Sequence, residues 1–302
     1  MNENLKVLII GYGSSGKRYA KILKNDLNIS DIHVVTKNPN CKFKKFNKLL
    51  LVKKINFDLV LVCSETFKHY SQLKFLEKNF KNKKIIIEKP LFAENKKINI
   101  KNNKVFVGYN LRFDPMIDFV KKRITNKNIL FCNLNCFSYL PNWRKGKNYA
   151  KSYSASKSKG GGVTRDLSHE IDLAYYLASL KKIIIAKNSK ISDLKINTDD
   201  VAVLLGKSKI KSFISINLNY AYHKEIRQIF LSTNKESIFI DLINRNLVIK
   251  TLFNETKIRF KKNNIENTYL NLLKDVILNK KKCCNFREGM IVNNYIAKFK
   301  KI

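Results

Sequence analysis

The chain has 302 residues, 44% of them hydrophobic, which is enough to bury one large core or two ordinary ones without a metal or disulfide staple. Its formal net charge of +37 comes from 51 lysines and only 9 arginines, scattered over every segment beside a surplus of Asn and Ile, as expected of a coding sequence biased to A and T. No nucleic-acid module and no platform of aromatics and arginines interrupts them, so the charge reads as a solvated surface that steers anions rather than as a nucleic-acid interface.

LKVLII at 5–10 is a short apolar run that reads as a buried strand, followed by GYGSSG at 11–16 and a helical segment, KRYAKILKNDL. Strands are expected at about 32–36 and in DLVLVCS, ending near Ser64. A helix over HYSQLKFLEKNF then leads to a strand ending at Lys89, and a short strand follows at 105–110. Strand alternating with helix predicts a doubly wound parallel sheet. Next come a helix at about 114–124, a strand at 129–139, a polar loop over 141–162 and a helix at about 163–180. Between 200 and 252 the β-rich runs VAVLL, SFISINLNY, RQIFLST, SIFIDL and LVIKT are joined by short polar turns, which predicts antiparallel pairing. Two last helices are expected at about 266–279 and 287–300. The pattern predicts an α/β domain over 1–110 and an α+β domain over 111–286, with the last helix packing back on the first.

MNENLKVLIIG runs straight into a strand with no basic, apolar, cleavable leader, and no later apolar run approaches membrane-spanning length. The cysteines at 41, 63, 132, 136, 283 and 284 form no C-x-x-C pair and no zinc spacing, so reduced structural thiols in a cytosol are expected, and no metal. Cys132 and Cys136, on one strand face, are expected to pack. His33 and His223 sit in strand-like runs and read as structural, whereas His69 is expected to open a helix near a cofactor.

Gly11, Gly13 and Gly16 fit G-x-G-x-x-G after a strand and at the start of a helix, the context in which that pattern binds a dinucleotide. Gly11 permits the tight turn, Gly13 lets backbone approach a pyrophosphate, and Gly16 lets helix and strand touch. Ser14 and Ser15 open the helix whose N-terminus faces the negative charge. NAD enzymes usually carry a carboxylate at the end of the second strand. Here Thr36, Lys37 and Asn38 stand there, and a hydroxyl with an ammonium suits a 2′-phosphate, so NADP is expected in preference to NAD.

IIIEKPLF at 85–92 aims a lysine at a strand's carboxyl edge, where open α/β sheets bind ligands, and the proline after Lys89 stops the strand. GGGVTRDLSHEIDLAYYL at 160–177 places three glycines at the end of a mobile loop and then a helix. On one continuous helix Asp166, His169 and Asp172 are three apart, so they would share a face toward a cleft, with Leu167, Ile171, Ala174 and Ala178 as the buried stripe. A histidine held between carboxylates is oriented for proton transfer, although a helical histidine alone is more often structural.

Together the glycine loop, Glu88-Lys89-Pro90, GYNLRFDP at 108–115 and the GGG-x-x-x-D-x-x-H segment resemble the Gfo/Idh/MocA oxidoreductase family, across nearly the whole chain and in the right order. The resemblance implies an N-terminal Rossmann domain and a C-terminal α+β domain whose open, mainly antiparallel sheet often mediates oligomers. It also implies nicotinamide-dependent oxidation or reduction of a carbon of a sugar, cyclitol or nucleotide sugar, with surface-glycan precursor synthesis as one setting. By that likeness Lys89 bonds the reacting oxygen, His169 exchanges its proton, and Asp166 orients His169 or contacts substrate. Many members place the acid four before the histidine, where this chain has Arg165. Ser64, Thr66 and Glu88 match segments that border the nicotinamide.

Arg112, Trp143, Arg144, Lys147 and Tyr149 are candidates to hold substrate, since arginine suits phosphate and aromatic faces stack on sugar rings. A solvated loop is the competing reading for most of them. The alternatives to an oxidoreductase are a catalytically silent dinucleotide-binding sensor or scaffold of the same fold and, with less support, a nucleic-acid binder driven by net charge.

Overall fold

The computed structural model describes residues 5–144, 146–209, 212–262 and 264–301. In chain order the elements begin with β1 (Val7–Ile10), α1 (Ser14–Asn25), β2 (Ile32–Val35), β3 (Lys44–Phe46), β4 (Leu59–Val62), α2 (His69–Asn79), β5 (Lys84–Ile87) and β6 (Lys104–Val107). Next are α3 (Pro115–Arg123), β7 (Ile129–Tyr139), α4 (Val163–Asp166), α5 (His169–Ala178), β8 (Leu180–Ser189), β9 (Val201–Ser208) and β10 (Phe213–Asn219). Then follow β11 (Ala221–Thr233), β12 (Ser237–Asp241), β13 (Asn246–Lys250), β14 (Glu255–Arg259), α6 (Ile265–Ile277), β15 (Cys284–Asn285), α7 (Phe286–Ile296) and β16 (Lys300–Lys301). The chain divides into two compact units. One holds the described residues up to Asn110 with Asn264–Asn293, and the other holds those of 111–263 and 294–302. Among the described residues no helix is long and apolar enough to cross a membrane.

In the first unit the described strands run in the order β15-β6-β5-β4-β1-β2-β3. All pair in parallel except β15, which is antiparallel to β6. β1 and β4 are buried at every residue, as parallel strands covered on both faces must be. Strand order reverses at β1, which opens a crevice at the carboxyl ends of β1 and β4. The short strand β3, KKF, was not anticipated: Lys44 and Lys45 are exposed, so this edge strand carries no apolar signal. Residues 264–286, expected with the second domain, cluster with this first unit. Tyr269 of α6 meets Tyr19 of α1 edge to face at 5.2 Å, and Glu266 accepts from Lys21 at 3.0 Å. In α7 a Cβ on Gly289 would come within 2.4 Å of Val107, so the helix lies directly against β6.

The second unit is built on a sheet of order β14-β13-β12-β11-β7-β10-β9-β8-β16. It is mainly antiparallel, with parallel pairing of β7 with β10 and of β8 with β16. Cys132, Leu134 and Cys136 of β7 and Ile214, Ile216 and Leu218 of β10 form the covered face, beneath α5. Burial pushes the thiols of Cys132 and Cys136 up to about 12, so both stay protonated within the packed face. Strands β8 and β14 also escaped the sequence reading, β14 because ETKIR is polar and mostly exposed. The helix expected over 163–180 is two helices. α4 ends at Asp166, Leu167 leaves helical geometry at φ −96° and ψ 28°, and α5 restarts at His169.

Candidate functional site

Gly11 leaves β1 at φ +97°, a conformation that favours glycine. A Cβ there would lie 2.7 Å from Ser64 N, and one on Gly16 would lie 2.1 Å from Gly11 O, so strand, loop and helix meet backbone to backbone. A Cβ on Gly13 would meet nothing within 4 Å. Gly13 caps α1 without a side-chain bond, the first turn holds no acid, Ser14 is exposed and Ser15 is half-buried. The first N–H groups of a twelve-residue helix are thus left, with the positive end of its dipole, for an anion that can approach over Gly13. These residues fit the pyrophosphate of a dinucleotide.

At the end of β2 the Thr36 hydroxyl accepts from Asn38 N–H at 3.0 Å, and the Asn38 side chain accepts from Asn40 N–H at 3.0 Å, so this turn caps itself. Lys37 is exposed, and residues 32–57 contain no Asp or Glu. Tyr12 packs edge to face with Phe43 at 6.2 Å, and the Lys17 ammonium lies 5.8 Å from the Tyr12 ring.

The β4–β5 ladder reaches Glu88, whose N–H donates to Val62 O at 2.9 Å. Lys89 follows half-buried, joined to Pro90 by a cis peptide bond. Glu88 is 7% exposed, and a Cβ on Gly108 would sit 3.2 Å from its Oε1. Burial raises its carboxyl above the ordinary value, opposed by Lys89, by Tyr19 and by Arg18. Ser64 donates its hydroxyl to Gln72 at 2.6 Å, and Thr66 is buried at the turn before α2. His69 opens α2 as expected.

In the second unit the three polar positions of the 160–177 segment diverge. Asp166, 3% exposed, accepts from Tyr153 Oη at 2.6 Å and from the hydroxyl of Tyr220. Burial and the adjacent carboxylate push both phenols well above their usual pKa, so each remains a donor. His169 is 9% exposed and begins α5. Asp172 binds Arg112 in a two-pronged pair with bonds of 3.0 Å from Nε and 2.7 Å from Nη2, and both side chains are 1% exposed. This corrects two expectations. The aspartates do not share one helix face, because the helix breaks at Leu167. Arg112 is a core partner of Asp172, with its guanidinium 4.7 Å from the Tyr176 ring, rather than a substrate-facing arginine.

Gly161 and Gly162 stand where a side chain would collide with its neighbours. A Cβ on Gly161 would lie 2.2 Å from Tyr153 O, and one on Gly162 would lie 2.1 Å from Asp199 Oδ1. Asp199, unmarked in the sequence, accepts from Thr164 N–H at 3.0 Å at the start of α4. Within the 141–162 loop, of which Lys145 lies outside the described residues, Trp143, Arg144, Lys147, Asn148, Tyr149, and Lys151 line a cavity of about 320 Å³. Trp143 donates to Ser138 Oγ at 3.0 Å and packs edge to face on Tyr220, while the Arg144 guanidinium lies 5.9 Å from the Tyr153 ring. The cavity wall and Asp166 are therefore joined through Tyr153 and Tyr220. Nothing near Tyr153 or Tyr220 in the sequence marked them, since their partner stands 13 and 54 residues away.

Residues 5–101 match the profile of the oxidoreductase family with an NAD-binding Rossmann fold (GFO_IDH_MocA). A search of curated proteins returns no match. Among solved structures, levoglucosan dehydrogenase in its apo form is similar at a TM-score of 0.81 and 16% identity, over 97% of this chain and 95% of that one. The WlbA dehydrogenase of Bordetella pertussis, solved with NADH and UDP-GlcNAcA, is similar at 0.75 and 14%, over 98% and 95%. UDP-N-acetylglucosamine 3-dehydrogenase GnnA of Acidithiobacillus ferrooxidans is similar at 0.75 and 11%, over 98% and 96%. At these identities the likeness is one of fold. Residues 5–101 thus match the model of a family of oxidoreductases with an NAD-binding Rossmann fold, and the glycine-loop geometry of this segment agrees with that fold.

Proposed function

We propose that the protein is an NAD(P)-dependent oxidoreductase that moves hydride between the nicotinamide and a carbon of a sugar or nucleotide sugar. The observation that carries this reading is that the Gly11–Gly16 loop and Lys89 leave the carboxyl edge of one parallel sheet, from β1 and from β5, with only β4 between them. The bound cofactor supplies the hydride acceptor. In the oxidative direction the Lys89 ammonium bonds the substrate oxygen and lowers the alcohol's pKa, and His169 takes the hydroxyl proton as the carbon gives up its hydride. Asp166 holds the backbone on the N-terminal side of His169 through its tyrosine bonds. The cavity formed by Trp143, Arg144, Lys147 and Tyr149 is the proposed substrate contact, with aromatic faces for a ring and cations for phosphate. Levoglucosan dehydrogenase has been solved with levoglucosan and WlbA with UDP-GlcNAcA, which supports both substrate types.

The 2′-phosphate preference stands on the absence of acid between residues 32 and 57 and on Lys37. The open face of the large sheet, where Phe131, Phe213, Phe230 and Val203 are exposed on one side, supports a homo-oligomer. All six cysteines are free, in keeping with a cytoplasmic protein. The test is to screen nucleotide sugars and free sugars for NADP or NAD reduction by absorbance, and then to repeat with Lys89→Ala and His169→Ala. Each substitution should lower kcat by ~10²- to 10⁴-fold with cofactor affinity nearly unchanged. Undiminished turnover in Lys89→Ala would remove the proposed role.

A further inference from the structure

His69 is 1% exposed, and both of its ring nitrogens face backbone carbonyls of the first unit. Nδ1 lies 3.1 Å from Pro90 O and 3.2 Å from Leu91 O, in the turn that follows Lys89. Nε2 lies 3.1 Å from Ser64 O, in the loop that follows β4. The β4–β5 ladder reaches Glu88. The imidazole thus spans the two loops where they leave adjacent strands, one carrying Lys89 and the other carrying Ser64.

Carbonyl oxygens only accept, so the proton count decides what the ring can do. A neutral imidazole donates from one nitrogen, and a charged one donates from both. Burial pushes the His69 pKa below its ordinary value, against the pull of the three carbonyls and of the Glu65 charge. The ring also stands in the first turn of α2, where the helix dipole disfavours a cation. For the neutral form, Nδ1–H meets two acceptors and Nε2–H meets one. The two-acceptor tautomer is the one that holds the Pro90–Leu91 turn.

Resting on the role proposed for Lys89, we infer that His69 is a positioning residue whose Nδ1–H fixes the Pro90–Leu91 carbonyls and thereby sets the Lys89 ammonium at the sheet edge. The side chain touches no reacting atom. Its contribution is to hold the turn that a strand ladder no longer holds.

The chain has four histidines, so 15N-histidine labelling gives a simple spectrum, with His69 assigned by its loss in His69→Asn. The expected signature in the unmodified protein is a pyrrole-type Nδ1 with a slowly exchanging proton. A pyridine-type Nδ1 would overturn the assignment, whether or not any substrate has been found. In variants, the amide nitrogen of His69→Asn reaches the place of Nδ1, whereas that of His69→Gln reaches the place of Nε2. Asn should hold kcat within about threefold while Gln and Leu lose about tenfold or more, a difference of ~1.4 kcal/mol in barrier per tenfold. The rate of Lys89 acetylation relative to the other lysines, read by mass spectrometry, should change in Gln and Leu but not in Asn. Equal behaviour of Asn and Gln in both measurements would sink the proposal. Should Lys89→Ala keep full turnover, the reading of the reaction fails instead, and the nitrogen spectrum and acetylation rates still decide the role of His69.

Discussion

Arg112 and Asp172 close on each other as a two-pronged ion pair, 60 residues apart in sequence, at 1% exposure on both sides. The pair joins the segment before α3 to the first turn of α5. Removing one partner leaves the other's charge buried, which costs about 3–5 kcal/mol. Arg112→Ala should therefore lose about that much unfolding free energy, read from its lower urea midpoint. A loss under about 1 kcal/mol would show that water reaches the abandoned aspartate.

Gly13 and Gly16 should separate cofactor binding from folding. Gly16→Ala drives a Cβ to 2.1 Å from Gly11 O and should destabilise the first unit, whereas Gly13→Ala enters open space. The expected outcome for Gly13→Ala is an unchanged melting temperature with dinucleotide affinity lower by about tenfold or more, ~1.4 kcal/mol. Fluorescence titration of the reduced cofactor reads it, and unaltered affinity would place the pyrophosphate elsewhere.

Tyr153 and Tyr220 have folded-state pKa values raised well above their usual value by burial and by Asp166. The folded state thus favours the neutral phenols. Their contribution is fully present below about pH 10, the unfolded value, and is lost as pH rises toward the folded values. Absorbance at alkaline pH should show these phenols ionising only together with the unfolding seen by circular dichroism. Tyr220→Phe, which removes one donor from a buried carboxylate, should cost ~1–3 kcal/mol.

Cofactor choice turns on the charge at the end of β2. Lys37→Glu places a carboxylate where the chain has none between residues 32 and 57, so it should weaken NADP binding and strengthen NAD binding. Dissociation constants for the two cofactors in both proteins check this. Tighter NAD binding by the unaltered chain would reverse the assignment.

What could be read in advance was whatever depends on neighbours in sequence. Gly11, Gly13 and Gly16 act within one turn of chain, so their spacing, read with the strand before and the helix after, located the loop and the close backbone approach at Gly11 and Gly16. The buried runs of β1, β4 and β5 and the strand before Lys89 were legible because parallel strands covered on both faces must be continuously apolar. Exposed edge strands such as β3 and β14 lack that signature, because only one face and one edge are shielded and lysines suit the rest.

The tertiary structure decided the pairings. Spacing by threes put Asp166, His169 and Asp172 on one face of an ideal helix, but the chain breaks at Leu167 and each aspartate satisfies its buried charge with a distant donor. Arg112, an open candidate for phosphate as a sequence residue, is consumed by Asp172, and Tyr153, Tyr220 and His69 acquire their roles only through partners brought close by folding. Local backbone preference and periodicity are written in adjacent residues, whereas the identity of a buried polar group's partner is settled only when the chain has closed around it.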